Sequence, residues 1–396
     1  MQEAVKIVPG TTPVGSSALQ GGTALAVMLP TDVVGGHEHM LLEWLPRARQ
    51  IGLCPTVYGG ANRQLAELAR KVGLPWRDVG YRVDRRDSLR RAQWGNFLKT
   101  LWTAVRLPRW MPVLLAPGAM QVGLLHVLAC RLARRKIICY VPITQSAATH
   151  RMRRPALRDW LTTHLARSAS MWITITDEHA RRLTDFWKIR APVHVIPNRV
   201  TALSLPAAPP RAVLRDGELL NLLFAGRFEP IQKGLDWLVD TLDANEAWTA
   251  KLTIEFQGAG PYLGRLEAFA QRAVQNRVKV LPWGNIQEAL ARADVLLLAS
   301  RFEGFPLVAI EALWAGVPVV ATLESGLADV LPPGSLYPFG DVAALRAAIE
   351  RMRIPDNREA AVVHARNRLQ VLLDQERYER ALAGVIEGVA RVTRRS

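Results

Sequence analysis

The sequence predicts an α/β protein of two domains, each built on a doubly wound sheet of parallel strands. The chain has 396 residues, more than one hydrophobic core usually serves. In both halves, short apolar segments alternate with segments of helical periodicity, which is the pattern of βαβ units. A proline- and alanine-rich segment, TALSLPAAPPRAVLRDGE at 201–218, separates the halves. We therefore expect domains at 21–200 and 219–370, joined by a linker at 201–218.

Apolar segments in the first half have the length and composition of buried strands. They are TALAVMLPTD (23–32), GLCPTVY (52–58), PVLLAP (112–117), KIICYVPI (136–143), MWITIT (171–176) and VHVIPN (193–198). The first is followed by the glycine turn VVGG and by helical spacing at Met40, Leu41, Trp44 and Leu45. Strand, glycine turn and helix in this order open a Rossmann unit. Residues 1–20 lack such a pattern and are expected to form a mobile tail.

The second half repeats the alternation. Its expected strands are LLNLLFAG (219–226), KLTIEFQG (251–258), VKVLP (278–282), DVLLLAS (294–300) and VPVVAT (317–322), and its expected helices span 233–243, 262–275, 285–292 and 306–315. The final segment, 371–396, has apolar residues at Tyr378, Leu382, Val385 and Val389. Their alternating steps of four and three predict an amphipathic helix, which could cross back to the first domain.

Cysteine usage and the lack of a leader pattern favour a cytoplasmic protein. Cys54, Cys130 and Cys139 are few, odd in number and without CxxC spacing, so neither a disulfide framework nor a zinc cluster is expected. The N-terminus has no basic segment followed by an apolar core, as a secretory signal would. The longest uncharged stretch, 110–130, is interrupted by proline and glycine, which favours a strand, a turn and a helix over a membrane span.

Positive charge is concentrated in the first half. The net charge is +16, and residues 1–200 hold 29 Lys and Arg against 12 Asp and Glu, whereas residues 201–396 hold 22 against 23. A basic field of this size attracts anionic partners. Within it, segment 82–110 mixes arginine with three tryptophans. Two interpretations stay open: a helix that lies on an anionic membrane at its inner face, or a solvated arginine-rich face whose tryptophans pack inward.

Two carboxylates stand out in the apolar stretch RFEGFPLVAIEALWAGVPVVAT at 301–322. Glu303 is predicted in the loop after a buried strand, and Glu311 on the helix that follows. The free N–H groups at such a helix start suit a diphosphate, and the candidates are those of Gly304, Phe305 and Leu307. Because carboxylates repel phosphate, the two glutamates are expected to accept hydrogen bonds from sugar or ribose hydroxyls at either end of the diphosphate.

Two cations are predicted at the same edge of the second sheet. In AGRFEPIQKG (225–234), a strand ends at Gly226, Arg227 follows it, and Lys233 begins the next helix. The sequence has no Asp-x-Asp motif or histidine cluster in a suitable loop, so a leaving diphosphate would be neutralised by side chains. Arg227 offers a planar fork and Lys233 a point charge for this purpose.

These motifs resemble those of a known family. EGFPLVAIEALWAGVPVV is similar to the E-x7-E signature of retaining nucleotide-sugar glycosyltransferases of family 4, which have the GT-B fold. AGRFEPIQKG resembles the donor-phosphate motif of that family. VGGHE (34–38), VIPNRV (195–200) and FQGAGP (256–261) are similar to its other motifs. The resemblance runs over roughly residues 23 to 385, and it implies two Rossmann-like domains that face each other across a cleft.

The resemblance implies a donor site in the second domain and an acceptor site in the first. Arg227 and Lys233 would bind the donor diphosphate. Glu303 would contact the sugar hydroxyls and Glu311 the ribose. Gly36 would bring its backbone N–H to the phosphate from the opposite wall. The other donor-binding positions are Gly226, Trp283, Gly284, Gly304, Phe305 and Leu307, with the base near PWGN (282–285).

The chain departs from the family pattern at two places. Arg199 replaces a glycine after Asn198, near the linker. Family members often carry a histidine after the strand that here ends in YVPI, and this chain has Thr144 and Gln145 there. His150 is the nearest histidine that could replace it. Its catalytic role and a plain surface position both stay open.

The sequence therefore predicts a retaining glycosyltransferase that moves a hexosyl group from a nucleotide diphosphate sugar to a glycan or lipid-linked acceptor in polysaccharide, lipopolysaccharide or glycolipid biosynthesis. No metal or other cofactor is expected. One alternative is a GT-B epimerase or phosphorylase. Another is a basic protein that binds nucleic acid without catalysis, although no reader motif for nucleic acid is present, so nucleic acid is not an expected partner.

Overall fold

The computed structural model describes residues 23–31, 36–82, 91–197, 219–273, 277–372 and 374–394. These residues form two parallel sheets, as the sequence predicts. The first has the strand order β3-β2-β1-β4-β5-β6-β7 and the second β10-β9-β8-β11-β12-β13. Both follow the order of a Rossmann sheet, in which the direction of strand addition reverses beside the first strand. The reversal lies between β1 and β4 in one sheet and between β8 and β11 in the other.

The first domain comprises the first sheet and its helices. Its strands are β1 (Thr23–Met28), β2 (Leu53–Gly60), β3 (Trp76–Tyr81), β4 (Val113–Leu115), β5 (Ile137–Tyr140), β6 (Met171–Thr174) and β7 (Val193–Val195). Its helices are α1 (Gly36–Trp44), α2 (Arg63–Lys71), α3 (Arg91–Arg106), α4 (Met120–Leu132), α5 (Pro155–Ala166) and α6 (Asp177–Asp185). The uncharged stretch 110–130 thus contains β4 and most of α4. Within the described ranges, no helix combines the length and apolar character that a bilayer crossing requires.

The second domain comprises the second sheet and the helices around it. Its strands are β8 (Leu220–Arg227), β9 (Leu252–Ala259), β10 (Val278–Leu281), β11 (Val295–Leu298), β12 (Val319–Thr322) and β13 (Leu336–Tyr337). Its helices are α7 (Leu235–Ala244), α8 (Glu246–Thr249), α9 (Leu263–Arg272), α10 (Ile286–Arg292), α11 (Leu307–Trp314), α12 (Val342–Arg351) and α13 (Pro355–Leu372). The expected tail, the linker at 201–218 and Arg199 lie outside the described residues.

The last helix, α14 (Gln375–Arg394), packs on the first domain. Its apolar stripe, including Tyr378, Leu382 and Val385, is buried in the same cluster as strand residues of the first sheet. An ion pair between Arg47 and Glu379 fixes the beginning of the helix. The chain therefore passes through the second domain and returns to the first, and the crossing is held by a buried apolar seam.

Helix α3 is attached to the first domain by polar side chains and by the apolar packing of Phe97 on α4. Thr100 Oγ1 lies 2.7 Å from Nδ1 of His126 on α4 and 3.1 Å from the hydroxyl of Tyr81 on β3. The Asn96 amide accepts a hydrogen bond from the backbone N–H of Arg82 at 3.1 Å. The tryptophans of this region face outward, so the interpretation with inward-packed tryptophans is wrong: Trp94 and Trp102 on α3 and Trp110 after it are all exposed.

Burial of His126 makes the stability of this attachment depend on pH. Its surroundings lower the pKa of the imidazole to about 4, so the unfolded chain binds the extra proton first as the pH falls. We expect the free energy of unfolding to decrease by about 2 kcal/mol between pH 7.5 and pH 5 on account of this group. Urea denaturation at both pH values should show a smaller decrease for His126→Gln. The exposed His364, changed to Gln, is the control, and an equal effect of both variants would contradict the assignment.

Candidate functional site

The two loops predicted to carry charge lie side by side at the carboxyl edge of the second sheet. β8 and β11 are neighbours, so the loop at 228–234 and the loop at 299–306 meet where the strand order reverses. The buried guanidinium of Arg301 joins them: its two terminal nitrogens donate to the Asp236 carboxylate at 2.6 and 2.8 Å. One of them also donates to the carbonyl of Ile231 at 2.8 Å. Ligands of Rossmann sheets bind at this position.

The close contact of these loops requires a glycine before α7. Gly234 has a φ of +65°, and a Cβ built there would lie 1.9 Å from the carbonyl oxygen of Ala299. No side chain fits in that space, and the left-handed backbone conformation also favours glycine. For this reason α7 begins at Leu235, two residues later than the sequence suggests, and Lys233 belongs to the loop.

Lys233 and Glu303 form an ion pair across the two loops. The Lys233 ammonium donates to Glu303 Oε1, and the hydroxyl of Ser300 donates to the same oxygen at 3.0 Å. Arg227, at the end of β8, donates to the side chain of Gln232 at 3.3 Å, and a Cβ on Gly226 would lie 3.8 Å from Lys233 Cε. The structure therefore brings together four of the predicted residues, Gly226, Arg227, Lys233 and Glu303.

Helix α11 presents its N-terminal end to the same site. The residue before it, Pro306, makes no capping hydrogen bond with its side chain, so within this described segment no side chain caps the start of α11. Glu311 lies one turn into the helix, and its burial raises the pKa of the carboxyl to about 6. Leu307 and Phe305 pack into the apolar core beneath. The helix start thus offers backbone N–H groups, and the helix also carries the partly buried carboxyl group of Glu311.

The first domain contacts the glutamate-bearing loop directly. A Cβ built on Gly304 would come 2.8 Å from Ile175 Cδ1 and 3.1 Å from the carbonyl oxygen of Pro142. Ile175 and Pro142 follow β6 and β5, so the carboxyl edges of the two sheets face each other here. Phe305 packs against the core of the first domain as well as that of the second. The absence of a Cβ at Gly304 allows this approach.

His150 lies at the domain contact, with its ring centroid 4.2 Å from that of Phe302. Burial lowers the pKa of its imidazole to about 4. The neighbouring Arg151 extends to Asp236 of the second domain, with 3.5 Å between charged atoms. His150 is therefore more than a surface residue, and it is neutral at physiological pH.

Sequence reasoning missed a second histidine at this contact. His179, near the beginning of α6, is buried, and its Nδ1 lies 2.8 Å from Thr144 Oγ1. Its burial, reinforced by Arg182, lowers the pKa of the imidazole to about 4, while backbone groups of Gly304 and Glu303 act in the opposite direction. The structure thus places an imidazole beside Thr144, where the resemblance expects a histidine from another strand. Its position just after a predicted strand, in TITDEHA, was the available signal.

The remaining predicted residues lie further along the two carboxyl edges. Trp283 and Gly284 are in the loop after β10, and Trp283 is exposed. Gly36 is the first residue of α1, at the reversal point of the first sheet. In the part of the chain that the structure describes, no hydrogen bond or ion pair joins Trp283 or Gly36 to the Lys233–Glu303 pair. Among the same residues, no group of three or more His, Cys, Asp and Glu side chains is placed to hold a metal ion.

The sequence of the second domain matches a known family. Residues 220–353 match the model of the family described as glycosyl transferases group 1. The lipopolysaccharide 1,6-galactosyltransferase of Escherichia coli (strain K12) is 30% identical over 138 residues, which are 32% of this chain and 38% of that protein. The chain therefore spans less than half the length of this relative.

Solved structures resemble the chain over nearly its full length. Anabaena HepE in complex with UDP-glucose superimposes with a TM-score of 0.66 at 18% sequence identity, covering 92% of this chain and 99% of that chain. Sucrose-phosphate synthase from Thermosynechococcus elongatus gives 0.67 at 16% identity, covering 94% and 100%. These likenesses show the fold. The chain has the GT-B architecture, and its residues 220–353 are the part that matches the glycosyl transferases group 1 family.

Proposed function

We propose that this protein is a retaining glycosyltransferase of family 4 that transfers a hexosyl group from a nucleotide diphosphate sugar to a hydroxyl of a glycan or lipid-linked acceptor. The observation that carries the proposal is the Lys233–Glu303 pair, with Arg227 nearby, at the strand-order reversal of the second sheet. A cation and a carboxylate held there match a ligand that combines a diphosphate with vicinal hydroxyls. The name of the Escherichia coli relative, a lipopolysaccharide galactosyltransferase, supports lipopolysaccharide or related surface-polysaccharide synthesis as the setting.

The residues supply charge and position for the reaction. Lys233 and Arg227 neutralise the diphosphate as the bond between its oxygen and the sugar C1 breaks. The acceptor oxygen forms the new bond to C1 on the same face, and its proton passes to the leaving phosphate oxygen. Glu303, released from Lys233 by the incoming diphosphate, accepts hydrogen bonds from the sugar hydroxyls. No metal ion or further cofactor takes part in this proposal.

The neutral histidines at the domain contact fit this scheme. A charged imidazole at His179 or His150 would compete with Lys233 and Arg227 for the diphosphate. Burial keeps both rings neutral at pH 7, so they can shape the acceptor side without adding charge. The contact of Gly304 with Pro142 and Ile175 brings the two walls together.

Two measurements test the proposal as a whole. A thermal-shift panel of uridine, guanosine and adenosine diphosphate sugars should show one donor that raises the melting temperature. With that donor and candidate glycan acceptors, proton NMR of the product should show the anomeric configuration of the donor. An inverted product would refute the retaining assignment. Stabilisation by duplex or single-stranded nucleic acid, with no response to any nucleotide sugar, would refute glycosyl transfer itself.

Loss of the Lys233 ammonium should impair turnover far more than folding. We expect Lys233→Ala to lower kcat at least about a hundredfold, because one lost donor to a developing anion is worth about 3 kcal/mol. Steady-state release of the nucleotide diphosphate is the measurement, and circular dichroism checks the fold. Lys279→Ala, on the exposed face of β10, is the matched control. Turnover of Lys233→Ala within a few-fold of the parent would reject the role.

Donor affinity should depend on the ionisation of Glu311. If its carboxylate holds the ribose, protonation removes that hydrogen-bond acceptor. In the protein without donor, burial raises the pKa of the Glu311 carboxyl to about 6. We expect donor affinity to weaken about tenfold from pH 7.5 to pH 5. Calorimetric titration should show weaker binding without this pH dependence for Glu311→Gln. The exposed Glu267→Gln variant should retain the dependence, and a Glu311→Gln profile identical to the parent would contradict the assignment.

A further inference from the structure

We propose that the outer surface of α3 and α5 docks the first domain onto an anionic lipid bilayer. This docking surface is defined by Trp94, Leu98, Trp102 and Val105 on α3 and by Leu157, Trp160 and Leu161 on α5. The two helices flank α4, which contacts both. The role of the bilayer as the source of the acceptor rests on the proposed function, whereas the docking itself does not.

Helix α3 reverses part of the usual polarity of a surface helix, although its apolar residues Phe97 and Ala104 also pack inward. Its inward side chains include the following polar residues: Gln93, Asn96, Thr100 and Thr103. Its outward side chains include the apolar residues Trp94, Leu98, Trp102 and Val105, each between 50% and 61% exposed. These four follow one another at steps of four, four and three, so they form one continuous stripe. Single exposed apolar residues are common, but a stripe of this kind marks a contact surface.

Hydrogen bonds fix this reversed orientation. The inward Thr100 donates to the backbone carbonyl of Asn96 at 2.9 Å and lies 2.7 Å from His126. Asn96 binds both the N–H and the carbonyl of Arg82. Turning α3 so that its tryptophans became buried would leave these polar groups without their partners, at a cost of about 1–3 kcal/mol each. The stripe is therefore held toward solvent by the structure beneath it.

Helix α5 repeats the reversal. Arg158 and Thr162 are buried, whereas Leu157, Trp160 and Leu161 are exposed. The Arg158 guanidinium donates to the carbonyl of Arg153 at 3.0 Å, and Thr162 donates to Gln121 of α4 at 3.4 Å. Two helices that bury polar residues and expose large apolar ones indicate a shared partner surface.

The charge of the region selects the partner. Residues 88–158 contain 13 Lys and Arg and no Asp or Glu. Arg106 stacks its guanidinium on the exposed Trp102 ring at 3.8 Å from the centroid. Arg109 and Arg131 are exposed at the ends of α3 and α4. Tryptophan with arginine is the composition that binds the headgroup region of anionic bilayers. A second copy packed symmetrically on this surface would instead bring like charges together.

The position of α5 connects the docking surface to the domain contact. The segment just before this helix contains His150, which packs on Phe302, and Arg151, which extends to Asp236. A bilayer that contacts Leu157 and Trp160 therefore lies beside the mouth between the two domains. An acceptor anchored in that bilayer would present its headgroup to the site without leaving the membrane.

Vesicle sedimentation of the full chain tests the docking. We expect binding to vesicles of phosphatidylglycerol and phosphatidylethanolamine, weakened by salt, and little binding to phosphatidylcholine vesicles. The triple variant Trp94→Gln, Trp102→Gln, Trp160→Gln should bind the anionic vesicles at least about tenfold more weakly, since each ring buries apolar surface in the interface. All three side chains are at least half exposed, so we expect the substitutions to leave the fold unaffected.

The matched control is Ile354→Gln, Val363→Gln, Val371→Gln, which removes exposed apolar residues from the second domain and should bind like the parent. The proposal is overturned if the parent does not sediment with anionic vesicles, or if the tryptophan variant sediments as the parent does. It is also overturned if the parent forms lipid-free dimers that the tryptophan variant abolishes. The thermal response to nucleotide sugars, measured on the same variants, should be unchanged, so failure of docking and failure of glycosyl transfer are separable.

Discussion

The candidate site depends on one constraint, the juxtaposition of β8 and β11 with the partly buried Arg301–Asp236 ion pair above them. The strand order reverses between these neighbours, so their two loops must share the space at the carboxyl edge. Arg301 and Asp236 fill that space with a bidentate contact, and Arg301 also satisfies carbonyls of the 228–234 loop. Asp236 is partly exposed, so solvent screens part of this attraction, and the hydrogen bonds of the buried Arg301 guanidinium to both loops carry much of the connection. Lys233 and Glu303 inherit their relative position from this arrangement.

The Lys233–Glu303 pair also explains how a site can be stable before it binds a doubly charged ligand. An unpaired ammonium or carboxylate is costly in a region of low exposure. Pairing Lys233 with Glu303 neutralises one of each, and Ser300 satisfies the carboxylate further. A diphosphate can take the place of Glu303 on the ammonium, and the released carboxylate then has hydroxyl donors to accept. In this exchange, both the Lys233 ammonium and the Glu303 carboxylate keep a hydrogen-bond partner, so neither group is left buried and unpaired.

Much of the fold followed from the sequence because buried parallel strands are continuous apolar segments. The strands that were missed lack that signal: β3 is an edge strand with charged residues, WRDVGY, and β13 has two residues. The loops of Lys233 and Glu303 could be paired from strand order alone. His179 could be placed at an edge from its position after β6, but its pairing with Thr144 could not, because the two residues lie 35 positions apart. Likewise, nothing in the sequence pairs Arg301 with Asp236, because the two residues lie 65 positions apart.

Helix α3 shows a further limit of sequence periodicity. A helical pattern defines two faces, but it does not say which of them is buried, and hydrophobicity suggests the apolar one. Here a face of mixed polarity is buried, because His126, Tyr81 and the Arg82 backbone provide partners for Thr100 and Asn96. This hydrogen-bond network fixes the orientation of α3 but leaves its outer apolar side chains exposed. Folding stability alone does not favour such an arrangement. The tryptophans on the outer face therefore contribute little to the stability of the free protein. Burying them becomes favourable when an anionic bilayer covers them, because its lipid headgroups attract the nearby arginines and its apolar interior accepts the rings.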